Sequence, residues 1–356
     1  MRQICLIFTA GALMVALPGM AQDSGPYKIL KTAKVGGEGG FDYVTADSEG
    51  RRLYVGRSGN PGRIMVYDLD TLEKVGEVPN TMRVHGATAS PKSHHGFASA
   101  NPVVMFDTKT FETIKTIDVK GNPDGYLYDP FNDRVFILSH SKPNATVISA
   151  ADGSVVGTID DMGGAPEEAA TDGKGTIYVD IEDKDNIAVI DAKTLTVKAH
   201  YDVTGKGGGC AGLALDAKNE ILFASCRNPQ NMVILSAKDG KILETLPLAG
   251  SSDGTVFNPK TLEAFSSHGN GTLSIVKENS PTSFVVEQTL QTMNRAKTCT
   301  LDAKTGHLLL IAAEYAPPPA APATPAPPTP DGRGGRGRGA GGQMLPDSFT
   351  ILVVGK

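Results

Sequence analysis

The chain alternates short apolar runs with polar turns, and the stretch GTIYVDIEDKDNIAVIDAKTLTV, Gly175 to Val197, shows the unit. Ile177, Tyr178 and Val179 form a β-rich run, the polar EDKDN segment follows, and Ile187 to Ile190 form a second run closed by Asp191. Runs of this length and composition, bounded by turn residues, predict strands. Two strands cannot bury both of their faces alone, so recurrence of the unit decides the fold.

It recurs. A turn residue, usually Asp, ends the first strand of each unit at Asp47, Ser90, Asp129, Asp172, Asp216, Asn258 and Asp302, every 39 to 44 residues. A second mark ends the third strand at Asp68, Asp107, Ser149, Asp191, Ser236 and Lys277. A fourth strand follows six times, as in EKVGEVP, FETIKTIDV and LTVKAHYDV. YKILKTAKV, Tyr27 to Val35, has the same pattern and supplies the seventh from the start of the chain. The prediction is an all-β, seven-bladed β-propeller over 22–356, closed by pairing the N-terminal strand with the last blade so that few strand edges stay open.

LYVGRSGNPGRIMVYDLDTLEKV, Leu53 to Val75, and the Gly175–Val197 unit resemble the YVTN-type repeat of the bacterial YncE-like β-propeller proteins. The likeness covers nearly all of the chain beyond the leader. It implies the propeller fold and an association with DNA, in a superfamily that mixes binding proteins, surface proteins and enzyme subunits.

Two segments depart from the repeat. Arg2, the apolar run Ile4 to Leu17, Pro18 and Gly19-Met20-Ala21 read as a secretory signal, 1–21, too short to span a bilayer. A periplasmic or secreted monomer without a transmembrane segment is expected after cleavage. Residues 316–343 are Pro/Ala-rich and then read RGGRGRGAGG, a composition that cannot bury a core. They form an expected disordered insertion between the second and third strands of the last blade. Charge argues against nucleic acid: 34 Lys and Arg stand against 39 Asp and Glu, and three of those arginines lie in the insertion.

Candidate chemistry follows from propeller geometry. The innermost strand of each blade lines the channel, and the position five residues before each turn mark opens on its mouth: Asp42, His85, Asp124, Glu167, Ala211, Asp253 and Lys297. Loops after the second strands add Arg57, His140, Arg227, His268 and Glu314 to that face. Crowded carboxylates must bind a cation, raise a pKa or stay hydrated. An all-oxygen set of Asp42, Asp124, Glu167 and Asp253 suits Ca or another divalent metal, while the histidines favour zinc or copper.

Cys210 and Cys226 are symmetric about Lys218, the centre of a hairpin, and should face each other as a disulfide. Cys299 is left over as a buried small hydrophobe. The leading functional expectation is a binding or scaffold module holding a protein, glycan or small-molecule ligand at the mouth. The alternative is a metal-assisted hydrolase or lactonase with Glu167 or Asp253 as ligand or base. A quinoprotein-like redox role and DNA binding rank behind these, and the absence of Trp excludes a tryptophan-derived quinone.

Overall fold

A computed structural model of the chain describes residues 25–317 and 342–356. Among them, 28 strands form seven antiparallel four-stranded sheets, each built from consecutive strands except the last. Blade one runs from Gly40 to Val78 and blade six from Ser252 to Gln291. Blade seven takes Cys299–Leu301, Leu308–Ala312 and Thr350–Gly355 from the end of the chain and Lys28–Lys34 from its start. The closing register runs from Lys28 opposite Gly355 to Lys34 opposite Thr350. The expected signal segment, 1–21, lies outside the described residues, as does most of the insertion. The root of the insertion is described: Tyr315 bridges Met344, and the Ala316 N–H donates to the Gln343 carbonyl at 2.9 Å.

The two middle strands of each blade are largely buried on both faces because a neighbouring blade covers each side. Seven clusters of buried side chains result, one between each pair of adjacent blades. Blade four shows the alternation. Ile177, Val179 and Ile181 of Thr176–Ile181 pack toward blade three, while Tyr178, between them, packs toward blade five. Successive strand residues point to opposite faces, so one continuous apolar run serves two interfaces. Full burial of each such side chain contributes about 1.5–3 kcal/mol. The fourth strands sit at the rim and are mostly exposed, as in Thr113–Ile117.

The recurrent Asp marks have a direct cause. Asp68, Asp107 and Asp191 each turn Oδ1 back to accept backbone N–H groups two and three residues on, at 2.7–3.0 Å. Asp is favoured there because its short carboxylate satisfies the donors that a tight turn leaves unpaired.

Candidate functional site

The innermost strands share an irregularity where they approach the mouth. In blades one, three, four, five and six, the pairing with the second strand slips by one residue, between Phe41 and Val44, Pro123 and Tyr126, Pro166 and Ala169, Cys210 and Gly212, and Ser252 and Gly254. Asp42, Asp124, Glu167, Ala211 and Asp253 all sit inside these bulges. A bulge bends its strand and re-aims a side chain, here toward the channel axis. His85 and Lys297 reach the same level from the residues just before the innermost strands Gly86–Ser90 and Cys299–Leu301.

The result is a closed circuit of alternating charge. Lys297 Nζ bonds Asp42 Oδ1 at 3.1 Å, and Asp42 Oδ2 lies 2.9 Å from His85 Nδ1. The same nitrogen lies 3.0 Å from Asp124 Oδ1, and Asp124 Oδ2 lies 3.3 Å from His140 Nε2. His140 Nε2 continues to Glu167 Oε2 at 2.9 Å, and Glu167 Oε1 to Arg227 at 3.6 Å. Arg227 pairs with Asp253, and Asp253 with Lys297, which closes the ring. Blade five carries Ala211 at its own ring position, and Arg227 from the loop after its second strand fills that gap.

Each charge stabilises its neighbours. Burial disfavours an imidazolium at His85, but the Asp124 and Asp42 carboxylates outweigh it and raise the group to about 10. The Glu167 hydrogen bond likewise raises His140. Burial pushes the Asp42 carboxyl up, but His85 and Lys297 outweigh it and hold it below the usual range. Glu167 goes the other way: burial raises it despite His140.

Beneath the ring the channel holds a cavity of about 260 Å³, lined in part by Tyr43, Thr45, Tyr126, Glu168 and Cys299. The Tyr126 and Thr45 hydroxyls bond at 2.7 Å. Glu168 accepts the N–H groups of Leu213 at 2.8 Å and Thr255 at 3.3 Å, yet burial still raises its carboxyl to about 8.

The ring unites Asp42, His85, Asp124, His140, Glu167, Arg227, Asp253 and Lys297, but three expected members lie elsewhere. The Arg57 guanidinium is buried at 1 % exposure, donates to the Gly37 and Gly39 carbonyls at 3.0 Å, and lies 3.9 Å over the Phe349 ring. His268 is wholly buried between the Thr272 hydroxyl at 2.9 Å and the Ser266 hydroxyl at 3.2 Å. The Glu314 residue is exposed at the root of the insertion.

Parity explains the first two. Asp47 pairs with Arg52 and Asn258 with Glu263, so Arg57 and His268 fall one residue short of the register held by His140 and Arg227. A one-residue offset turns a strand side chain to the opposite face. The four-carboxylate cage also does not form, because Asp253 is held between Lys297 and Arg227. The groupings close enough to share an ion, among the described residues, are Asp42–His85–Asp124 and Asp124–His140–Glu167.

Glu182, which pairs with Arg227 at 2.8 Å, was not expected from the repeat spacing. The hairpin of blade four is one residue tighter, with Thr171 opposite Ile177, and this brings Glu182 to the His140 and Arg227 position. Glu168 and Asp180 were also missed; no repeat position marks them.

Cys210 and Cys226 pair directly across their hairpin and form a disulfide, while Cys299 is a buried free thiol. No helix among the described residues is long and apolar enough to cross a membrane. No protein-family model matches the chain and no curated protein is significantly similar to it, so what is established is a seven-bladed β-propeller with a charged ring at one channel mouth.

Proposed function

We propose that the chain is an exported binding module of the YncE-like kind that seats a ligand at the ring. The observation that carries this reading is that all seven blades deliver at least one charged side chain to a single level of the channel. Burying ion pairs contributes little stability over well-packed apolar side chains, whereas convergent polar groups in a concavity are the usual setting for a ligand. Export is supported by the leader-like 1–21 and by a disulfide, which persists in oxidising compartments. A metal-assisted hydrolase is the second reading, favoured by the two carboxylate–imidazole triads that share Asp124.

The test is a thermal-shift panel of sugars and dicarboxylates on the chain from residue 22. It is run beside an Arg227→Met/Lys297→Met variant. A solute that stabilises the parent and not the variant is expected. Solutes that stabilise both equally would place binding away from the ring.

A further inference from the structure

Resting on the reading that the mouth is the binding site, we infer that the arc Asp42–His85–Asp124–His140–Glu167 holds two divalent transition-metal ions bridged by Asp124. Each imidazole presents one nitrogen to two carboxylates. His85 Nδ1 faces Asp42 Oδ2 at 2.9 Å and Asp124 Oδ1 at 3.0 Å. His140 Nε2 faces Asp124 Oδ2 at 3.3 Å and Glu167 Oε2 at 2.9 Å. A single N–H proton cannot point along both lines, since hydrogen bonds weaken steeply away from linearity. A cation between the three atoms engages them together. Ligands about 2.0–2.2 Å from a metal stand about 2.8–3.6 Å apart along the edges of an octahedral or tetrahedral shell, and these separations fall within that spacing.

Asp124 gives one oxygen to each triad, which defines two centres and one bridging carboxylate. The donor set selects the metal class. One imidazole nitrogen with two carboxylate oxygens suits zinc, cobalt, nickel or copper, whereas calcium and magnesium take oxygen alone. The ring is also asymmetric: Lys297 and Arg227 bracket Asp253 and would repel a cation there, while they meet the arc only at the outer oxygens of its end carboxylates, Asp42 Oδ1 at 3.1 Å and Glu167 Oε1 at 3.6 Å, leaving Asp42 Oδ2 and Glu167 Oε2 to the imidazoles.

Buried carboxyls crowd behind the arc. Asp180, in the strand Thr176–Ile181, is wholly buried, and neither of its carboxyl oxygens has a hydrogen-bond partner. Strand alternation turns it to the Tyr178 side, toward blade five, and the bulge between Pro166 and Ala169 sets Glu167 and Glu168 opposite it. An unpartnered buried carboxyl is costly, and its crowding against Glu167 and Glu168 is eased by a divalent cation at Glu167.

The experiment uses the tag-free chain from residue 22, stripped with a chelator and titrated with Co²⁺ while its visible absorption and bound metal are followed. About two equivalents are expected for the parent and for His94→Ala, an exposed histidine outside the ring. His85→Ala and His140→Ala should each bind about one, and Asp124→Asn, which keeps the shape of the bridge, should bind at least about tenfold more weakly. Absence of stoichiometric Co²⁺, or a stoichiometry that none of the three ring variants changes while their circular dichroism and melting match the parent, would overturn the inference and leave an ion-pair network. If cobalt fails but a solute of the thermal-shift panel still depends on Arg227 and Lys297, the metal assignment falls alone. If no solute depends on them either, the mouth reading falls with it.

Discussion

Tyr27 and Gln288 exchange two hydrogen bonds across 261 residues of sequence: the Tyr27 N–H donates to Gln288 Oε1 at 2.9 Å, and Gln288 Nε2 donates to the Tyr27 carbonyl at 2.8 Å. Both residues are buried, so the side-chain amide serves as the backbone partner that the entering strand lacks. The Tyr27 hydroxyl also donates to Glu263, which fastens the first described residues to blade six while the next seven complete blade seven.

Gln288→Leu removes both partners and leaves a buried N–H and a buried carbonyl unsatisfied. The expected loss is about 2–6 kcal/mol, since each of the two stranded groups costs about 1–3 kcal/mol. Urea unfolding of parent and variant measures it. A change under about 0.5 kcal/mol, typical of an ordinary surface site, would mean that the clasp does not hold the ring closed.

The Cys210–Cys226 disulfide spans 16 residues. A loop of that size restricts the unfolded chain by about 3 kcal/mol. Cys210→Ala/Cys226→Ala should therefore unfold at lower urea, and reductant should bring the parent close to the variant. Cys299 should resist alkylation in the folded protein, because burial pushes its thiol up to about 12, and react on unfolding. Labelling followed by mass spectrometry distinguishes the two states.

His268 sets a pH dependence. Burial pushes its imidazole down to about 4, below the value of about 6.5 in an unfolded chain. The unfolded state then binds the extra proton between these values, so the stability present above about pH 6.5 is lost as pH falls through about 4. Between about pH 7 and about pH 4 the parent should lose on the order of 2–3 kcal/mol more than His268→Gln. Parallel stability curves would assign the acid sensitivity to other groups.

Gly125 follows Asp124 inside the bulge of blade three. A Cβ there would lie 2.3 Å from the Glu167 carbonyl oxygen of the next blade. Gly125→Ala must push the innermost strands of blades three and four apart, and overpacking of this kind costs about 1–3 kcal/mol. Thermal unfolding should show the loss, and a melting temperature equal to the parent's would show that the strands have room to move.

The turn marks, the strand runs and the spare fourth strand at Tyr27 to Val35 determined the seven blades and their closure, because each reflects a local rule of strand and turn chemistry. The disulfide was legible for the same reason: two cysteines equidistant from a hairpin centre must meet. The ring was legible at seven positions of regular repeat phase, including Ala211. Only the tertiary structure decided which charges join it. Arg57 and His268 turned inward because each stands one residue earlier along its strand than His140 and Arg227, and Glu182 reached the axis because the blade-four hairpin is one residue tighter; a period of two converts each one-residue difference into opposite faces. Which cation neutralises which carboxylate depends on bulges and on distances between blades, and neither leaves a mark in residue spacing.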